Sequence, residues 1–252
     1  MGAFTVEVKP TIGAIQQHAG VYTVGDLLFD WTEFEIPRGG AKLVGATAIT
    51  RPKGDTNPPT PNPFGIHLLF GKVGTSLGTS NAVPYSAKPT EDILGAVKIE
   101  TTDYIQSAGT QLTSVAHVSA KDVNLQPNTE TPVKGVSVGF DKYYVAGVAA
   151  GAFFFTTATN IIASDGAAST TLICDGADAD LQEHFLPGDT IQIGTTVSGV
   201  AAGTTLGDVL TVDSATQITL TETSKALLKD GMLLYNTKPV KILLHFEKAG
   251  RN

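Results

Sequence analysis

The chain has 252 residues, with 17 basic and 24 acidic side chains and a formal net charge of −7. That length admits one large domain or two small ones, and buries a core without help from disulfide or metal. No Lys/Arg cluster along the sequence could track a phosphate backbone, so nucleic acid is disfavoured as a partner, and the low charged fraction of 16% with 27 Gly and 13 Pro favours strands and turns over long surface helices.

The N-terminus, Met1 to Glu7, lacks the basic and long apolar regions of a signal peptide. Phe4 to Val8 alternates apolar and polar residues, the period of a half-buried strand. Val21 to Leu28 and Trp31 to Ile36 read as further strands, followed by a turn at Arg38-Gly39-Gly40 and a strand over Lys42 to Arg51. Five prolines between Pro52 and Pro63 exclude helix and sheet interior, which predicts an exposed loop. Ile66 to Phe70 resumes as a buried strand. A Gly/Ser/Asn loop follows from Gly71 to Asn81, then a strand over Ile93 to Ile99 and two short ones between Gln111 and Val123. Gln126 to Pro132 predicts a second exposed connection, and Val136 to Phe140 and Lys142 to Val148 close the run. The apolar stretch Tyr143 to Phe155 is broken by Gly147 and Gly151 and is too short to span a bilayer. Helix is expected only in brief turns, over Ala87 to Leu94 and Ala179 to Phe185.

From about Ser164 to Tyr235 the text becomes rich in Asp, Gly and Thr, with strands expected at Thr190 to Ile193, Thr204 to Val212, Gln217 to Thr221 and Met232 to Tyr235. It then returns to a strong strand, Pro239 to Glu247, which needs a sheet to complete. The economical reading is an all-β, jelly-roll-like antiparallel sandwich formed by residues 1–160 plus 237–252, with a small β module, 161–236, inserted before the C-terminal strand.

Two stretches resemble known proteins. Val21-Tyr22-Thr23-Val24-Gly25-Asp26, Phe34-Glu35-Ile36-Pro37-Arg38-Gly39-Gly40, His67-Leu68-Leu69-Phe70 and Asp92-Ile93-Leu94-Gly95 resemble a family of small structural proteins of tailed bacteriophages. The pattern is one of strands and turns, and this chain departs from it in the proline loop and the insert. Gly188-Asp189-Thr190-Ile191, Gly203-Thr204-Thr205 and Val212 to Leu220 are similar to small β modules of phage structural and bacterial surface proteins. The resemblance implies a non-enzymatic virion protein, most simply a capsid decoration (cement) protein. Its partners would be the major capsid protein and further copies of itself, a trimer being favoured by the three-fold positions of a capsid. No membrane or nucleic-acid partner is implied. The alternative is a tail or baseplate accessory whose insert binds host-surface glycans. A glycan-active enzyme is a third class, with no acid/base pair to carry it.

No catalytic, cofactor or metal set is expected. His18, His67, His117, His184 and His245 have no metal-ligand spacing, and the strand histidines read as hydrogen-bonded structural groups, although two of them could meet across a sheet. Asp175 to Asp180 fails the EF-hand template and reads as a solvated turn. Gly71 to Ser76 lacks the phosphate-loop order. Glu33 and Glu35 fall on one wet strand face; Tyr22, Trp31 and Phe34 read as core rather than a sugar platform. Cys174, the lone cysteine, reads as a structural thiol. The arms expected to reach a neighbour are residues 1–20 and Pro52 to Pro63.

Overall fold

The computed structural model describes residues 2–52, 60–72, 74–83, 93–105, 113–125, 139–155, 161–175 and 180–248. Alternating apolar residues make the strands. In chain order they are β1 (Ala3–Val8), β2 (Leu27–Pro37), β3 (Ala41–Thr50), β4 (Ile66–Gly71), β5 (Ile93–Ile99), β6 (Tyr104–Ile105), β7 (Ser114–Leu125), β8 (Phe140–Ala149), β9 (Thr171–Ile173), β10 (Thr190–Ile193), β11 (Thr205–Ser214), β12 (Gln217–Leu220), β13 (Leu234–Asn236) and β14 (Val240–Lys248). Two short helices, α1 (Ala14–His18) and α2 (Leu181–His184), and a 3-10 turn over Thr101–Asp103 complete the described elements.

Eight of these strands pair as one long hairpin folded over on itself. The first pairs with the last, β1 with β14; then β2 with β8, β3 with β7, and β4 with β5, all antiparallel. The folded hairpin rolls up because β14 also pairs with β3, and β8 with β4. The result is two facing sheets, β1-β14-β3-β7-β6 and β2-β8-β4-β5, with β6 added at an edge. This is the strand order of a jelly roll. β14 is therefore an interior strand of the first sheet, and without it β1 would have no neighbour there.

The inner faces meet in a single apolar cluster. Its centre is a run of rings. Phe246 of β14 stacks on Phe4 of β1 at 5.3 Å and on Phe34 of β2 at 6.1 Å, and Phe34 also meets Phe70 and Tyr143. Phe246 thus joins the two sheets through ring contacts. A second group packs Phe64 and Tyr22 on opposite sides of Phe153, with Phe155 edge-on to all three. Outside the second sheet, Leu77 covers Leu27, Ala146 and Trp31, held there by its amide donating to Asp30 Oδ1 at 2.8 Å.

The chain between β8 and β14 forms a second sheet system, β13-β10-β11-β12-β9, around a separate cluster that includes Leu172, Leu181, Ile191, Ile193, Leu206, Ile218, Leu220 and Leu234. The module is thus mounted on the connection between the seventh and eighth strands of the roll.

Several local expectations need correction. Val21 to Leu28 is not one strand. Tyr22 makes a bridge to Phe153, then Asp26 accepts bonds from the amide and hydroxyl of Thr23, and Gly25 turns the chain at φ +94, so β2 starts only at Leu27. Gln111 to Val123 does not give two strands; residues 114–125 form one, and β6 precedes it. The N-terminal residues are not a free arm. β1 is a sheet strand, Ile12 is fully buried, and α1, which short polar AIQQH does not announce, packs against β13 and β10. The proline stretch is anchored at both ends, with Pro52 and Asn62 buried and Thr50 Oγ1 donating to the Asn62 carbonyl at 2.8 Å; residues 53–59 lie outside the described residues. So do 87–92 of the first expected helix, while its last two residues, Ile93 and Leu94, belong to β5. The expected connection over Gln126 to Pro132 also lies outside them.

Candidate functional site

The residues joining module to roll are held by hydrogen bonds from both bodies. The returning stem, residues 236–239, is pinned from three directions. Thr237 donates its amide to the Thr190 carbonyl at 3.0 Å and accepts from the Ile12 amide at 2.8 Å. Gln17, 3% exposed, donates its amide nitrogen to the Ile12 carbonyl at 2.7 Å and the Asn236 carbonyl at 2.8 Å. The Arg51 amide donates to the Pro239 carbonyl at 3.0 Å. His18 and Tyr235 add a ring-nitrogen to hydroxyl bond of 3.0 Å. Buried polar groups of this kind cost free energy unless paired, so the pairing fixes how the module is held.

Beside the stem lies a cleft of about 270 Å³, lined by Lys9, Ile49, Arg51, Thr113, Leu186, Pro187, Asp189, Lys238, Pro239 and Lys241. Roll and module each supply walls. Arg51 at the end of β3 reaches across to Asp189 in the module at 3.2 Å. Asp189 also accepts from Asn236 Nδ2 at 2.7 Å and the Leu186 amide at 2.8 Å. Burial pulls the Arg51 guanidinium down from its ordinary pKa, against the opposing attraction of Asp189 and Glu183. Glu7 bridges Lys9 at 2.9 Å and Lys241 at 3.6 Å; the Lys9 hydrogen bond is the main cause holding its carboxyl below the usual range.

A second polar feature crosses the outer face of the first sheet. Thr5 Oγ1 meets His245 Nδ1 at 3.1 Å, Thr47 Oγ1 meets His245 Nε2 at 2.9 Å, and Thr47 Oγ1 meets His117 Nδ1 at 2.8 Å. Four adjacent strands contribute one residue each, and the two rings stand 5.4 Å apart. The Thr47 hydroxyl has one proton, so it donates to one imidazole and accepts from the other, which requires the accepting ring to be neutral at Nδ1 or Nε2. On the same face, Ile105 is 71% exposed and Val115 37% exposed, and Ile105, Val115 and Ile49 stand in register across β6, β7 and β3.

The other sequence candidates fall as follows. His67 lies on the outer face of β4. His184 and Cys174 are buried, and burial, reinforced by Asp175, pushes the Cys174 thiol up to about 12. Glu33 and Glu35 share the outer face of β2, with Glu33 paired to Lys142 at 2.8 Å. Tyr22 and Phe34 are core, and Trp31 packs beneath Leu77. Residues 176–179 of the Asp175 to Asp180 turn lie outside the described residues, as does Val73 of Gly71 to Ser76. Among the described residues no group of three His, Cys, Asp or Glu side chains has the geometry to hold a metal ion. No described helix is long and apolar enough to cross a membrane.

No family model matches the chain, and no curated protein matches it. Among solved structures, it aligns over 98% of its length with 91% of a chain from the atomic structure of Sulfolobus turreted icosahedral virus, at 11% identity and a TM-score of 0.15. Neither fold nor function follows from a likeness of that size.

Proposed function

We propose that this protein is a non-enzymatic virion component that decorates and braces the head of a tailed bacteriophage. The observation that carries the reading is the mounting of the module. A closed jelly roll holds a second β body on one inter-strand connection, and buried hydrogen bonds through Gln17, Thr237 and Arg51 fix its stem. Such a build presents a rigid, preorganised surface to large partners, which limits the entropy lost on docking. Jelly rolls also serve lectins and enzymes, so the choice of a phage head rests on the strand-and-turn resemblance over residues 21–26, 34–40, 67–70 and 92–95. The row Ile105, Val115 and Ile49 supplies an apolar strip for contact with the major capsid protein or a neighbouring copy, and a trimer matches the three-fold positions of a capsid.

Antibody or gold labelling of intact virus particles tests this directly. The label should decorate the head, and particles lacking the protein should release their genome at lower temperature. Label confined to the tail or baseplate would replace this reading with the accessory-protein one. Absence from purified particles would refute both.

A further inference from the structure

We infer that the cleft between the jelly roll and its module is a binding site for a small, multiply charged oxyanion. The inference is independent of any place in a virion. Lys9, Arg51, Lys238 and Lys241 are four of the ten described residues that line this space, in a chain where only 17 of 252 residues are basic and the net charge is −7. Chance placement would put about one cation there.

The carboxylates facing these cations do not match them. Asp189 is already taken by Arg51, by Asn236 Nδ2 and by the Leu186 amide. Glu7 is shared between Lys9 and Lys241, and Glu183 exerts a weaker pull on Arg51. No carboxylate pairs with Lys238 among the described residues. Its backbone is nevertheless fixed, because its amide donates to Asn236 Oδ1 at 2.8 Å and Pro239 follows it. Among the described residues, these four cations stand against the ion-paired carboxylates Asp189 and Glu7 and the weaker Glu183, a surplus of positive charge that an oxyanion would neutralise.

The walls suit such a ligand in shape as well. Thr113 offers a hydroxyl, while Ile49, Leu186, Pro187 and Pro239 form apolar sides. A volume of about 270 Å³ holds a group of metabolite size, not a polymer. The Arg51 side chain is 20% exposed, and among the described residues its guanidinium donates to Asp189; an oxyanion would add charge-assisted bonds. Because the cleft draws on both bodies, a bound anion would tie Leu186 to Pro187 of the module to Lys9 and Lys241 of the roll.

Phosphates and polycarboxylates share this chemistry. Titration of the full chain with inorganic phosphate, pyrophosphate and citrate, followed by amide NMR shifts and by thermal melting, distinguishes them. Saturable shifts at Ile49, Thr113 and Lys238, with a raised melting temperature, are expected from at least one probe, and the tighter arm names the class. The double variant Lys238→Gln, Lys241→Gln should weaken that binding about tenfold or more, with an unchanged fold by circular dichroism. Lys98→Gln, on the distant strand β5, should leave it unaltered. Failure of all three probes to saturate, or equal affinity in the double variant, would overturn the inference.

Discussion

Phe246→Ala is the sharpest probe of how the roll is closed. The side chain is fully buried in β14 and its ring is shared between Phe4 and Phe34. Truncating a buried Phe costs about 3–5 kcal/mol, and the loss of two ring partners places this one near 4–5 kcal/mol. That is a large part of the 5–15 kcal/mol typical of a domain, or roughly 8–20 °C in melting temperature. The perturbation should stay within the roll, because the module has its own apolar cluster. Trp31 is the chain's single tryptophan and sits in β2, so its fluorescence in a urea series reports the roll alone. Hydrogen exchange at β10, β11 and β12 reports the module. The expected result is an earlier Trp31 transition with module protection retained, and the reverse pattern for Leu220→Ala. An unmoved Trp31 transition, or module amides losing protection in step with β3 and β14, would refute the two-core account. Phe246→Leu gives the same test in milder form if the alanine variant does not fold.

Other outcomes follow from the same contacts. Gln17→Ala strands two buried carbonyls, those of Ile12 and Asn236, at about 2–4 kcal/mol; limited proteolysis should then cut within residues 236–239 faster than in the parent. Gly147→Ala should destabilise the roll by about 1–3 kcal/mol in denaturant titration, since an added Cβ would stand 2.6 Å from Phe29 Cζ. His245 has a pKa held below the ordinary 6.5, first by burial and then by the charge of His117. Its neutral form is therefore favoured by folding: the contribution is complete above about pH 6.5 and lost as pH falls through the folded-state value. Melting temperatures recorded from about pH 7.5 to about pH 5 should fall less in His245→Gln than in the parent.

The strands were legible because one face of each is buried, so Phe4, Val6 and Val8, or Ile242, Leu244 and Phe246, declare themselves by alternation. The lone return of that pattern after a long Thr/Gly-rich stretch pointed to an interrupted sheet, and β14 lies between β1 and β3. What the pattern missed was short or nonlocal. β6 and β9 hold two and three residues, too few to show a period. The stretch from Val21 alternates well, yet Gly25 and the Asp26 side chain break it with a turn that hydrophobic spacing does not register. The cleft was invisible for a different reason. Lys9, Arg51, Lys238 and Lys241 form no run along the chain, and only the pairing of β14 with β1 and β3 gathers them. The His117 and His245 contact depends on the same topology: sequence permitted the meeting, and the register through Thr47 sets it.

The central structural claim is that the roll is complete without the body it carries. It is tested most directly by deleting residues 161–236, joining the ends with a short Gly/Ser linker and recording the melting transition by Trp31 fluorescence. The account predicts a cooperative transition, with amide protection retained along β3 and β14. A product that aggregates, or melts without cooperativity, would contradict it and make the module part of the roll's own core.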